Sequence, residues 1–157
     1  MSQIRQKAIA GLKIGDSFTI RRTFTEKDMI AFAAITRDYN PVHFDDRFAA
    51  VKTFNGRICH GLLVAAMLTE VGGQLGWLAS VMNFRFKKPV YFNNAITCKL
   101  TITNIDGRNR AQAIAEYQNE SGAVVIEADL EGIVPAAAEQ EVLVAMVGEG
   151  DPTNKIK

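Results

Sequence analysis

The sequence predicts an α+β domain in which a long central helix is wrapped by an antiparallel sheet. From Gly61 the run Leu62-Leu63-Val64-Ala65-Ala66-Met67-Leu68 is apolar nearly all round, the pattern of a helix buried on most faces. After Trp77 the character changes to strands, with turn signals at Asp106-Gly107 and Asn119-Glu120-Ser121-Gly122. A helix apolar on most faces needs cover, and the sheet supplies it as a second layer. With 157 residues and no internal repeat, one domain is expected over 1–135. Residues 136–157 read as a C-terminal extension, partly mobile, because strand character stops at Pro135 and Gly148-Glu149-Gly150-Asp151-Pro152 is turn-rich.

The elements follow in order. Residues 16–24 alternate loosely, Phe18 and Ile20 being interleaved with Ser17, Thr19 and Arg21, and read as a strand. Thr25-Glu26-Lys27-Asp28 has the form of a capping box, and Met29, Ile30, Ala33 and Ala34 then recur at helical spacing. That helix is expected to stop near Arg37, because Asn40-Pro41 disfavours helix ahead of it. A short helical piece is expected at 46–51. The central helix begins at Gly61 and ends between Gly72-Gly73 and Gly76. Strands are expected at 81–86, 95–105, 110–119 and 123–134.

Composition narrows the function classes. Charged residues are 22% and apolar residues 48% of the chain, and the net charge is +1. Such a balance offers no basic surplus for nucleic acid and no acidic tail for a basic partner. No apolar run reaches the ~18 residues of a membrane span, and the first residues lack the apolar core of a signal peptide. Cys59 and Cys98 match no metal or redox spacing, so both are expected as reduced thiols and the location as cytoplasmic.

The chemistry-bearing residues cluster at Asp38-Tyr39-Asn40-Pro41-Val42-His43 and at Cys59-His60-Gly61. The first places a carboxylate, an amide and an imidazole in one Pro-braced loop. The second puts a glycine amide where the buried helix begins. A carboxylate and an imidazole holding one water are a general acid–base pair, and an N–H at a helix start can polarise a carbonyl. Taken singly, Asp38 reads as well as a cap, Asn40-Pro41 as a turn, His43 as a packed histidine and Gly61 as a packing glycine.

Taken together, Thr36-Arg37-Asp38-Tyr39-Asn40-Pro41-Val42-His43, Arg57-Ile58-Cys59-His60-Gly61-Leu62-Leu63 and Phe84-Arg85-Phe86-Lys87-Lys88-Pro89-Val90 resemble the MaoC-like family of (R)-specific enoyl-CoA hydratases and 3-hydroxyacyl-thioester dehydratases. The resemblance spans roughly 14–134. It implies a hot-dog fold and reversible syn hydration of a trans-2-enoyl thioester, of CoA or acyl carrier protein, with no metal and no redox cofactor. It assigns Asp38 and His43 to the catalytic water, Asn40 to site organisation and the Gly61 backbone N–H to the thioester oxygen. Thr69 stands where the family often has a small hydroxyl facing the site, although a hydroxyl bonded to its own helix is an equal reading. Arg85, Lys87 and Lys88 are the local cluster for a CoA phosphate, or a solvated strand face. Gly72 either widens an acyl pocket or packs the helix.

One departure stands out: Arg37 occupies a position where the family pattern has glycine. If the backbone there needs a positive φ, Arg37 is strained; otherwise it places a cation beside Asp38. Two other functions are open: acyl-thioester hydrolysis, which other hot-dog proteins perform, and a non-catalytic acyl-thioester-binding subunit marked by Arg37. An unclosed sheet edge predicts a homodimer or higher homo-oligomer.

Overall fold

The computed structural model describes residues 2–156. In chain order the elements are α1 (Gln3–Ala10), β1 (Ser17–Thr23), α2 (Glu26–Thr36), a 3₁₀ turn (Pro41–His43), α3 (Asp46–Val51), α4 (Gly61–Ala65), α5 (Met67–Leu75), β2 (Leu78–Phe86), β3 (Ala95–Ile105), β4 (Arg110–Gln118), β5 (Val124–Ile133) and α6 (Ala137–Gly148). The five strands form one sheet in the order β1-β3-β4-β5-β2, antiparallel throughout. Strands β3 to β5 are the expected meander, and β1 and β2 close its two sides as edges.

Strand alternation builds the core. Ala111, Ala113, Ala115 and Tyr117 of β4 are buried and alternate with exposed residues. Ile96, Cys98, Leu100 and Ile102 of β3 point the same way. Val64, Ala65, Leu68, Val71 and Leu75 of α4 and α5 join them in one apolar cluster. This is the helix-and-sheet arrangement that the sequence predicts.

The expected single central helix is divided at Ala66 into α4 and α5. The cause lies in β4: the buried Tyr117 hydroxyl donates to the Ala65 carbonyl at 2.7 Å. In an unbroken helix that carbonyl would accept from the Thr69 N–H. Here the Thr69 N–H turns to Ala66 O instead, at 2.9 Å, which tightens the turn.

Two helices lie outside the sequence expectations. Helix α1, capped by Ser2, buries Arg5 and Ala8. The Arg5 guanidinium reaches Gly73 O of α5 and pairs with Asp151 beyond α6. Helix α6 occupies much of the extension expected to be partly mobile, and its Leu143 packs on the core cluster. No helix among the described residues is long and apolar enough to cross a membrane.

Candidate active site

The loop carrying Asp38 is shaped by the end of α2. Arg37 terminates that helix in the left-handed region (φ 60°, ψ 23°), donating its N–H to Ala33 O at 2.7 Å. This is the positive φ that glycine adopts freely and that costs an L-residue roughly 1–2 kcal/mol. The strain expected from Arg37 is therefore present. Its guanidinium forms no ion pair with Asp38 among the described residues.

Two Asx turns follow. Asp38 Oδ1 accepts from the Asn40 N–H at 3.2 Å, and Asn40 Oδ1 accepts from the Val42 N–H at 3.2 Å. Asn40 thus caps the 3₁₀ turn that carries His43, with Pro41 as its first residue. His43 is buried and its Nδ1 lies 2.8 Å from Ile58 O. A carbonyl only accepts, so the hydrogen sits on Nδ1 and the lone pair on Nε2. Burial lowers the His43 pKa; the Ile58 carbonyl opposes this, nearby His60 adds to it and Asp38 opposes it more weakly.

His43 Nε2 and Asp38 Oδ2 are 4.0 Å apart. Both atoms present lone pairs, so they cannot bond each other. A water about 2.8 Å from each could donate one hydrogen to either side. The two groups stand 4.0 Å apart, a spacing into which one solvent molecule would fit.

His60 touches both residues. Its Nε2 is 2.9 Å from the Asp38 carbonyl, so that nitrogen carries a hydrogen and donates. Its ring stacks on His43 with centroids 3.8 Å apart. Gly61 then opens α4, where the first N–H groups have no intrahelical acceptor. Asp38, His43, His60 and Gly61 line a cavity of about 470 Å³ whose further walls include Phe54, Val90 and Ile126. A Cβ placed on Gly61 would stand 2.7 Å from Cε1 of Phe86, a half-exposed residue ending β2. Any larger residue here must displace the Phe86 ring.

The other expected site residues divide. Lys87 and Lys88 line the same cavity. Arg85 does not; its guanidinium pairs with Glu127 and Asp129. Thr69 is also outside the cavity, in a separate pocket with Gly72 and Trp77, and its hydroxyl donates to Ala66 O at 2.7 Å. Cys59 lines the cavity, but burial pushes its pKa up to about 12, so it stays a thiol. Asp38, His43 and His60 offer donor atoms within 4.8 Å of one another. They do not fit a cation, because the His60 Nε2 lone pair is taken by the hydrogen it shares with Asp38 O.

Comparison with known proteins follows the same lines. The family model described as "MaoC like domain" matches residues 12–123. The chain belongs to the MaoC-like family. An (R)-specific enoyl-CoA hydratase of Rhodospirillum rubrum is 30% identical over 129 residues, 80% of this chain and 90% of its own. A 3-hydroxybutyryl-CoA dehydratase of Methylorubrum extorquens is 26% identical and covers 96% of this chain and 98% of its own. Among solved structures, the (R)-hydratase from A. caviae superposes with a TM-score of 0.74 at 27% identity, covering 80% of this chain and 98% of that one. The fold is accordingly the MaoC-like hot-dog.

Within this MaoC-like chain, Asp38, His43 and Gly61 of the expected site line one cavity, and Asn40 stands behind it as the cap of the turn that carries His43. Sequence reasoning missed the part played by two residues. His60 stands in the Cys59-His60-Gly61 motif without a role of its own, although a histidine before an apolar run is itself a signal of a buried polar contact. Phe86 belongs to a stretch that carries the resemblance, but its place beside Gly61 depends on how β2 ends and is not legible in the sequence.

Proposed function

We propose that this protein adds water reversibly across the double bond of a trans-2-enoyl thioester, giving the (R)-3-hydroxyacyl thioester. The observation that carries the reading is the pair of facing acceptors, Asp38 Oδ2 and His43 Nε2, 4.0 Å apart at the end of a cavity that Gly61 also lines. A water donating to both has its own lone pair free for the β-carbon. As the C–O bond forms, one water proton passes to the pair, and the thioester oxygen gains enolate charge. The Gly61 N–H meets that charge in this reading, its hydrogen bond strengthening as the charge grows. The pair then returns a proton to the α-carbon from the side on which water added, which makes the addition syn. Dehydration is the same path in reverse. Cys59 takes no part, since a thiol held at about 12 supplies no thiolate at neutral pH.

The thioester arrives on a phosphopantetheine arm, from CoA or acyl carrier protein. Lys88 on the cavity wall supplies positive charge for its phosphate; Lys87 lines the same wall but shares Glu127 at 3.4 Å, and Arg85 is held outside by Glu127 and Asp129. The assembly is a homodimer joined along a sheet edge, and a cytoplasmic setting agrees with two buried free cysteines.

The test is an enoyl-CoA length series starting at crotonyl-CoA. Loss of enoyl absorbance without thiol release, with an (R)-product on chiral analysis, is expected; thiol release would mean hydrolysis instead. Asp38→Asn and His43→Ala should each lower kcat by about 10²–10⁴-fold, the scale of losing a general acid or base, with folding intact. Near-normal turnover in either variant overturns the assignment.

A further inference from the structure

We propose that His60 is a positioning residue of this site, tethering the backbone of Asp38 while its ring backs His43; the proposal rests on the hydratase reading above. The carboxylate of Asp38 is half exposed, on a loop that begins with a strained residue. The hydrogen bonds that shape residues 37–40 are otherwise local: Arg37 N–H to Ala33 O, Asp38 N–H to Thr36 Oγ1, Tyr39 N–H to Arg37 O and Asn40 N–H to Asp38 Oδ1. Local bonds set the shape of a loop but leave its distance from the rest of the molecule open. Among the described residues, the one hydrogen bond joining this stretch to a distant part of the chain is His60 Nε2–H to Asp38 O, at 2.9 Å across 22 positions.

The far end of that tether is firmly held. His60 is 1% exposed and belongs to a segment stitched to the 90–91 region by the Cys59 N–H to Val90 O bond and the Ile58–Tyr91 bridge. The same segment holds His43, because Ile58 O accepts from its Nδ1. It also supplies Gly61. Residues 58, 60 and 61 therefore set the imidazole, the carboxylate and the amide relative to one another. Without the His60 bond, the Asp38 backbone loses its one long-range tie, and the carboxylate is held only through the local bond to the Asn40 N–H.

The ring's chemistry says that it is there for more than packing. It sits among Phe32, Phe44 and His43, with centroids at 5.2, 6.2 and 3.8 Å. Its Nδ1 is buried with no hydrogen-bond partner. An unmet buried polar atom is unfavourable, and a phenylalanine would fill that apolar nest without it. The histidine is explained by its other nitrogen, the donor to Asp38 O.

Three variants separate the tether from the packing. In His60→Gln the amide nitrogen stands as many bonds from Cβ as Nε2 does, so the donor is kept and the ring lost. His60→Asn falls one bond short of the carbonyl. His60→Phe keeps the ring and removes the donor. We expect Gln to hold kcat within about fivefold of wild type, and Asn and Phe to lower it about 10–100-fold with KM nearly unchanged, the scale of misplacing a reacting group by about 1 Å. Purely structural damage would instead follow thermal stability and would place Phe, the better packer, above Gln.

Phe retaining wild-type kcat, or Gln falling as far as Asn, overturns the proposal. Crystal structures of wild type and His60→Phe give a readout independent of turnover. The Asp38 Oδ2 to His43 Nε2 separation, 4.0 Å in the wild type, should change in the variant. An unchanged separation refutes the tether whatever the activity. A wild type that hydrates no enoyl thioester would count against the hydratase reading and leave the distance comparison to decide the role of His60.

Discussion

His43 sits where protonation is disfavoured. Burial is the largest cause, and it lowers the pKa below the ordinary 6.5. The imidazole therefore keeps its Nε2 lone pair into mildly acidic solution, so kcat/KM should stay level through pH 6.5 and fall only below it. An acid limb with its midpoint above 7 would contradict the assignment of His43 as base. Stability has the same sign. The unfolded chain protonates this histidine near 6.5 while the folded chain resists, so the His43 contribution is full above 6.5 and is lost as pH falls through the folded value. Gly61 makes a second residue-scale prediction. Gly61→Ala drives a methyl to 2.7 Å from the Phe86 ring, which must swing aside or push α4 away. If α4 is pushed away, its amide is displaced rather than lost, and we expect kcat to fall by up to about 10²-fold, the scale set by an oxyanion donor, with a modest change in melting temperature. Wild-type kcat in that variant would mean that the Phe86 ring swings aside and leaves the amide at position 61 where it is. The strain at Arg37 was legible in the sequence, because a family position that favours glycine flags a positive φ. The role of His60 was not, because its partner stands 22 positions away and nothing local points to it.

At the scale of elements, the strands were legible because one face is buried and the other wet. β3 falls at the predicted 95–105, and β4 alternates residue by residue. The helices were less so. α1 is a short polar segment that forms by docking Arg5 and Ala8 on α5, and α6 lacks a buried face to give it a period. The break at Ala66 was hidden for another reason: its cause, Tyr117, is on a strand far along the chain. That cause can be tested. Burial raises the Tyr117 pKa strongly, so the hydroxyl remains a donor at all working pH values. Tyr117→Phe leaves the Ala65 carbonyl buried without its partner, and denaturant titration should show a loss of about 1–3 kcal/mol. A variant as stable as wild type would mean that the Thr69 N–H had returned to Ala65 O and healed the helix. That outcome would show the break to be imposed by the tyrosine hydroxyl alone.

At the scale of the whole molecule, the two sheet edges are unlike. β1 presents Arg21 and Arg22, paired with Glu120 and Glu70, which is how a solvated edge is kept from sticking. β2 presents Leu78, Val81, Met82 and Phe86, all exposed, along a strand whose second side has no partner strand. An isologous contact of β2 with a second β2 would pair those backbone groups and cover those side chains at once. Light scattering of the eluted protein should therefore report about 34 kDa, twice the 17.2 kDa chain, or a multiple of it. Val81→Lys places on this strand the residue that edges use to stay unpaired, and it should shift the protein toward monomer. Activity is expected to fall with it, for a reason internal to the chain. Phe86 ends β2 and packs beside Gly61, so the strand that would hold a dimer also sets the wall beside the amide proposed to bind the carbonyl. A monomeric Val81→Lys protein with full turnover would separate the two, showing that each protomer completes its own site.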